Sequence, residues 1–446
     1  MVPFRPLGRK RLAGAECRVA MRTPHVIRTS SWKPFLDGDR ATRARAFVDD
    51  VAAALRDPAT EQVDPGFSAA SVASGLSGAA LFFGERHALT KEQADADTAF
   101  GFLDRALDLA ANVEPLSVPL YTGTSGVGWS LNYLERILVE GDDEESDVDQ
   151  VVAAALRQGP WISFDLIRGL AGMGAYWMER LPRPHAVEGL RQMTARLQES
   201  SSETPDGTTW WVDPASVPPE RAERFPDGYY DTGLAHGQAG VLVALAGAYD
   251  AGVEEAGPLL RSATDWLLAQ RGVTEGPGLY PLLKGRGEEL SQGGRLAWCY
   301  GDTGVAVGLL AAARSLGDTA LVETVREIAH TSTERPKDRV GVMDMGICHG
   351  AAGLALVYAR LAHGLGDDAL GDEVRHWVDV LLEQRDADGP IAGVWSSQPG
   401  ETDDTRSIEP RAGFLEGAIG VGLVLLGLLS ENAPDWDVLL LTRPTA

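Results

Sequence analysis

A chain of 446 residues with 44% apolar and 23% charged residues carries ample material for a buried core, which excludes a disordered protein. Its net charge of −24 argues against nucleic acid as a partner. Three unevenly spaced cysteines, Cys17, Cys299 and Cys348, make no disulfide framework; they point to a reducing, cytoplasmic setting and to metal binding or catalysis.

The first 30 residues differ from the rest. Arg5, Arg9, Lys10, Arg11, Arg18, Arg22 and Arg28 face the single acid Glu16, and no continuous apolar stretch suggests a signal peptide. This segment is expected to be a flexible tail, or the product of an early start codon with Met21 as the true beginning; a peripheral membrane or partner contact is the lesser alternative. Residues 31–446 read as one domain, because a repeat overrides the length prior of several. No stretch is long enough to cross a bilayer; the longest apolar run, Gly417 to Leu429, reads as a buried helix.

The repeat is a Gly-x-x-Gly at Gly75/Gly78, Gly123/Gly126, Gly169/Gly172, Gly237/Gly240, Gly301/Gly304, Gly350/Gly353 and Gly417/Gly420, with successive pairs 46 to 68 residues apart. Chance supplies a similar number of pairs in so glycine-rich a chain, but not this dispersion. Nor does it supply the proline-free apolar stretch after each pair: 79–83, 127–138, 173–181, 241–249, 305–316, 354–365 and 421–429. Ahead of each pair lies an amphipathic candidate helix: 40–56, 92–112, 148–158, 185–199, 254–271, 318–331 and 369–385. One amphipathic helix and then one buried helix, seven times over, predicts an all-α fold, an α/α toroid or barrel of seven helical hairpins with inner and outer rings. The glycines are expected to permit backbone angles that other residues resist and to let the inner helices start close to their neighbours. Two stretches interrupt the pattern. The acidic run 141–149 reads as a solvated loop, and residues 200–232 as a small irregular insertion with one or two short strands.

If the units are equivalent, the residues just before each pair converge on one end of the ring. Those positions hold Asp165, His236, Cys299-Tyr300, Cys348-His349 and Glu416. Two cysteines and a histidine can hold zinc with its fourth position open, the arrangement of a catalytic site. Adjacent Cys348 and His349 would diverge by about 100° inside a helix, so they could serve together only in the irregular turn before one. From spacing alone, buried hydrophobic cysteines remain an equal reading. Taken singly, His236 reads as a hydrogen-bonded histidine, Arg295 as a surface ion pair, and Trp298 and Tyr300 as packing aromatics. Asp165, within an apolar stretch, reads as a buried and paired carboxylate.

Taken together, Arg295-Leu296-Ala297-Trp298-Cys299-Tyr300-Gly301, Cys348-His349-Gly350 and Gly233-Leu234-Ala235-His236-Gly237 resemble the LanC-type lanthionine synthetase cyclases. Phe164-Asp165-Leu166-Ile167-Arg168-Gly169 resembles that family's aspartate motif, and Leu415-Glu416-Gly417 with Asp435-Trp436-Asp437 its closing repeat. The likeness runs from about residue 40 to the C-terminus; Leu296 departs from it, since some members carry a polar residue there. It implies a zinc-dependent lanthipeptide cyclase in which a cysteine thiol of a dehydrated precursor peptide adds to a dehydroalanine or dehydrobutyrine of the same peptide. Cys299, Cys348 and His349 would hold one Zn2+ per chain. His236 would transfer the proton, Asp165 would orient it, Arg295 would favour the developing negative charge, and Tyr300 would position substrate or donate a hydrogen bond. The chain has no room for a dehydratase, so a separate dehydratase partner is expected.

Three rivals stand beside this reading. The first adds a small thiol such as glutathione to dehydrated residues, and the second is a non-catalytic zinc-bearing scaffold. The third is a glycoside-processing barrel using Asp165 and Glu416, which would leave both cysteines without a role. Deletion of Met1 to Ala20 should leave thermal stability and activity unchanged; a collapse of the melting temperature would show that the tail docks.

Overall fold

The computed structural model describes residues 32–56, 68–112, 117–139, 146–159, 163–272, 277–286, 289–291, 294–399 and 406–443. The basic N-terminal segment and the acids at 141–145 lie outside the described residues. The chain starts with α1 (Gly38–Arg56), and then come helical hairpins in which an apolar helix precedes an amphipathic one. They are α2 (Leu76–Thr90) with α3 (Gln93–Asn112), α4 (Thr124–Leu138) with α5 (Asp147–Gln158), and α6 (Leu170–Glu179) with α7 (Pro184–Ser200). The insertion then contributes β1 (Ser202–Thr204), β2 (Gly207–Thr209), β3 (Trp211–Val212), α8 (Pro219–Arg224) and β4 (Tyr229–Asp231). After α9 (Gln238–Asp250) and α10 (Ala256–Ala269) come β5 (Leu283–Lys284) and β6 (Glu289–Ser291), then α11 (Asp302–Ser315) with α12 (Thr319–Thr333). Last are α13 (Ala351–Leu365) with α14 (Gly371–Gln384), the hairpin β7 (Trp395–Pro399) and β8 (Arg406–Pro410), and α15 (Ala418–Leu429).

This is the expected α/α toroid. Each inner helix, α2, α4, α6, α9, α11, α13 and α15, packs on the next, and α15 packs on α2 to close the ring. All of α15 is buried. The hairpins are phased differently from the sequence reading, which paired each amphipathic helix with the apolar helix after it. In the structure α1 packs on α15 instead, so the seventh hairpin joins the two ends of the chain. Phe35 N–H donates to Leu428 O at 2.9 Å, and Arg40 grips Asp379 of α14 through two bonds of 2.7 and 2.8 Å. Sequence order cannot reveal this pairing, because the same alternation of helices fits either phase.

The glycines work by close approach. In six repeats the first glycine is extended, with φ between −113° and −144°; only Gly301, at φ +94°, needs an angle that L-residues resist. The expectation of unusual angles is thus corrected for the other six. A Cβ at Gly123 would instead collide with the carbonyl of Ser117, and one at Gly126 with that of Leu120, each six residues back. The same six-residue step recurs at Gly169 with Ser163, Gly237 with Asp231 and Gly353 with Ile347. Each turn folds its carbonyls onto the start of its own inner helix, where only hydrogen leaves room.

These turns are also bonded to one another. Ala73 N–H donates to Tyr121 O, Leu166 to Ala235 O, Leu234 to Cys299 O, Cys299 to Cys348 O, Ile347 to Leu415 O, and Phe414 back to Ala73 O, at 2.8–3.4 Å. Every acceptor stands two residues before the first glycine of its pair. The hole beneath is filled by the C-terminal turn Trp436–Leu440, whose residues are all buried. Tyr121 O–H donates to Leu439 O at 2.6 Å and Trp298 Nε1–H to Leu440 O at 2.9 Å.

Two sequence expectations are corrected here. Asp149 is not solvated: it is 1% exposed, completes a capping box with Ser146, and accepts from Arg180 and Tyr176. The insertion holds more strand than expected, and β3 and β4 continue into β5 and β6 as a four-stranded sheet. The strands have two or three residues each, too short for alternation to register.

Arg360 and Asp437 lock the C-terminal turn to α13 through bonds of 2.5 and 2.6 Å, at 2% and 0% side-chain exposure. Removing one partner leaves the other charged and buried. Arg360→Ala should lower unfolding free energy by about 3–5 kcal/mol in a denaturant titration.

Candidate metal and proton-transfer site

The ring of turns brings the chemistry together at the N-terminal end of the inner helices. Cys299 and Cys348 occupy the same place in successive repeats, and the backbone bond between them, 3.3 Å, sets their thiols side by side. Both are free, Cys299 buried and Cys348 partly so, and the two side chains hydrogen-bond to each other. One residue later in each turn stand His236, Tyr300, His349 and Glu416. Cys348, His349 and Glu416 each offer a donor atom, and these atoms lie within 4.8 Å of one another, close enough to hold a metal ion. Cys299 joins this group through its bond to Cys348 rather than as a member of the three.

The thiol pair shares one ionisation. The hydrogen bond from Cys348, opposed by burial and helped by the charges of Arg295, His349 and His236, brings Cys299 down to about 7. Cys348, the donor, is pushed up by that bond and by burial. His349 Nε2 lies 2.9 Å from Asp344 Oδ2, an ion-pair contact without full hydrogen-bond alignment. Burial pulls the imidazole down, but Asp344 outweighs it and the net shift is upward. Asp344 in turn accepts from Gly346 N–H, Ser396 Oγ–H and Ser397 N–H at 3.0–3.2 Å.

Next to the thiols, His236 and Asp165 form a dyad. Nδ1 lies 2.8 Å from Asp165 Oδ2, while Asp165 Oδ1 accepts from Ser163 Oγ–H and Arg168 N–H, each at 2.8 Å. The carboxylate is 6% exposed and fixed on three sides, as the apolar setting predicts. The imidazole is 40% exposed and keeps Nε2 for whatever enters. Burial lowers its pKa, but Asp165 and then Asp231 raise it to a net upward shift, so the ring holds its proton more strongly than a free histidine.

Arg295 is not the surface ion pair that it suggests when read alone. Its Nε and Nη2 are buried and have no hydrogen-bond partner, and its charge acts on Cys299, Cys348 and His349. An uncommitted guanidinium beside two thiols favours an anion arriving there. Tyr300 is already engaged: its O–H donates to Asp231 Oδ2 at 2.8 Å and accepts from Arg221 Nη2–H at 3.3 Å. Burial first, then Asp231, keeps the phenol protonated.

Sequence reasoning missed Asp231, Asp344, Arg221 and Gln398. The first two had a signal: Asp231, Arg295, Asp344 and Arg411 all stand six residues before the first glycine of successive repeats. Arg221 and Gln398 come from the insertion and the β7–β8 hairpin, where no register guides the eye. Asp165 and Glu416, the carboxylates of the glycosidase reading, are engaged separately, by His236 and by Gln398.

A family model described as lanthionine synthetase C-like protein matches residues 66–441. Among solved structures, nisin cyclase matches with a TM-score of 0.70 and 20% identity, over 89% of this chain and 97% of that one. At that identity the likeness concerns the fold. No curated protein matches this sequence. Thiolate absorbance of the metal-free protein should rise with a midpoint near pH 7 for one thiol per chain, and Cys348→Ala should move that midpoint upward by removing the donor.

Proposed function

The chain belongs to the lanthionine synthetase C-like family, and from that premise we propose that it is a zinc-dependent cyclase closing thioether rings in a dehydrated peptide. The observation that carries the reading is the convergence of two thiols, an imidazole and a carboxylate beside the His236–Asp165 dyad and the unpartnered Arg295. Cys299, Cys348 and His349 would hold the ion, a donor set that suits zinc. Bound there, zinc would deprotonate a peptide thiol at neutral pH and keep its sulfur nucleophilic.

The remaining work falls to the chain's own groups. Addition of sulfur to the β-carbon of a dehydroalanine moves the π electrons towards the carbonyl and leaves an enolate. Arg295 supplies two donor nitrogens without partners, so it can take up that charge without first breaking a bond. The proton for Cα comes from His236. Asp165 holds Nδ1, directs Nε2 outwards and raises the imidazole's affinity for the proton, the state in which it acts as an acid. Tyr300, with its proton committed to Asp231, serves as a wall of the site rather than as a donor. Substrate would arrive already dehydrated, the work of a separate partner.

Mass spectrometry after incubation with a dehydrated peptide tests the reading. Ring closure consumes a thiol without changing mass, whereas addition of a small thiol raises mass, and no reaction would leave a scaffold. Zinc content measured in parallel separates the roles. Cys348→Ala should lose the metal, and His236→Ala should keep it while cyclising about 10² to 10⁴ times more slowly. An unchanged rate in His236→Ala removes it from the reaction.

A further inference from the structure

Nothing in the sequence placed Glu416 among the metal ligands, yet it is one of the three donors that converge. It is also held from outside the ring. Gln398 of β7 donates through Nε2 to Glu416 Oε2 at 2.8 Å and to Ser396 Oγ at 2.8 Å. Ser396 Oγ–H donates to Asp344 Oδ2 at 3.1 Å, and that oxygen faces His349 Nε2 at 2.9 Å. A continuous run of side chains thus leaves one candidate donor, His349, passes through the β7–β8 hairpin, and returns to another, Glu416. Arg406 of β8 fastens the hairpin, donating to Ser397 Oγ at 2.6 Å and to its carbonyl at 2.5 Å.

Ligand atoms on one tetrahedral zinc stand about 3.3–3.8 Å apart, given bonds of about 2.0–2.3 Å. The spread of 4.8 Å among Cys348, His349 and Glu416 is about 1 Å wider, which a side-chain rotation can close. We propose that Glu416 is a displaceable fourth ligand: its carboxylate closes the coordination position that an incoming thiol needs, and Gln398 on the β7–β8 hairpin draws it away. This rests on the zinc reading above. A carboxylate suits such a role, because a thiolate, the softer donor, displaces it from zinc. The hairpin then sets the balance between a closed four-ligand site and an open three-ligand one. Because it also supports Asp344, it can tilt that balance without loosening His349.

The test uses the full chain loaded with cobalt(II), titrated with 2-mercaptoethanol and monitored by sulfur-to-cobalt absorption. If the carboxylate competes with the thiol, E416Q should bind thiol about 3–10 times more tightly and Q398A about 3 times more weakly, at equal cobalt content. Opposite shifts in the two variants are required; unchanged affinity in both, or a shift in the same direction, overturns the proposal. Should E416Q fail to fold, Q398A alone decides, since tighter or unaltered thiol binding there refutes it. Failure of the wild type to take up cobalt refutes the metal reading itself, and this inference with it.

Discussion

The structure depends on a single close approach, the seating of a turn's carbonyl over a glycine at the start of an inner helix. Hydrogen in place of a methyl lets the turn fold back on the helix it opens, and the glycine three residues later repeats the contact one turn further on. The folded turn then presents an amide to one neighbour and a carbonyl to the other. The chain of bonds from turn to turn, and the fixed step between equivalent residues, both arise from this. Cys299 and Cys348 meet because neighbouring turns are held at hydrogen-bonding distance, not because either side chain seeks the other.

The same register distributes charge. Six residues before the first glycine, successive repeats carry Asp231, Arg295, Asp344 and Arg411. Each aspartate accepts an amide proton from its own turn and turns its other oxygen to a side chain one position before a glycine: Asp231 to Tyr300 across a repeat boundary, and Asp344 to His349 within its repeat. Arg295 stands between these two acids in the order of the repeats, without a bond to either. Its charge is left to act on Cys299, Cys348 and His349 instead.

Much of this was legible in the sequence because the repeat converts position into place. Once the seven glycine pairs are aligned, Asp165, His236, Cys299, Tyr300, Cys348, His349 and Glu416 fall on one rim by counting alone. Apolar helices such as 418–429 declare themselves by being apolar on every side. The unreadable part lies where the register lapses. Gln398 and Arg221 reach the site from irregular segments whose strands are too short to show a period, and the phase of the hairpins is decided by ends of the chain that sequence order keeps apart. Asp149 misled for another reason: an acid within an acidic run looks solvated unless its partner Arg180, thirty-one residues on, is known.

The pairing of α1 with α15 bears on how the protein comes into being. Among the described residues, the outer helix α1 has its principal partner in α15, the inner helix farthest from it along the chain, and the turn that fills the hole is later still. During synthesis the early hairpins must therefore wait with their apolar flanks uncovered, a state that invites aggregation and slows assembly through contacts distant in sequence. Tyr121 and Trp298, which sit in the turns of the rim, reach their acceptors only when Leu439 and Leu440 arrive. The rim is thus completed by residues that stand 318 and 142 positions further along the chain than the side chains that bind them. Thiols that could seize a metal ion early are brought into register only when the ring has closed, which ties competence at the site to the integrity of the entire ring.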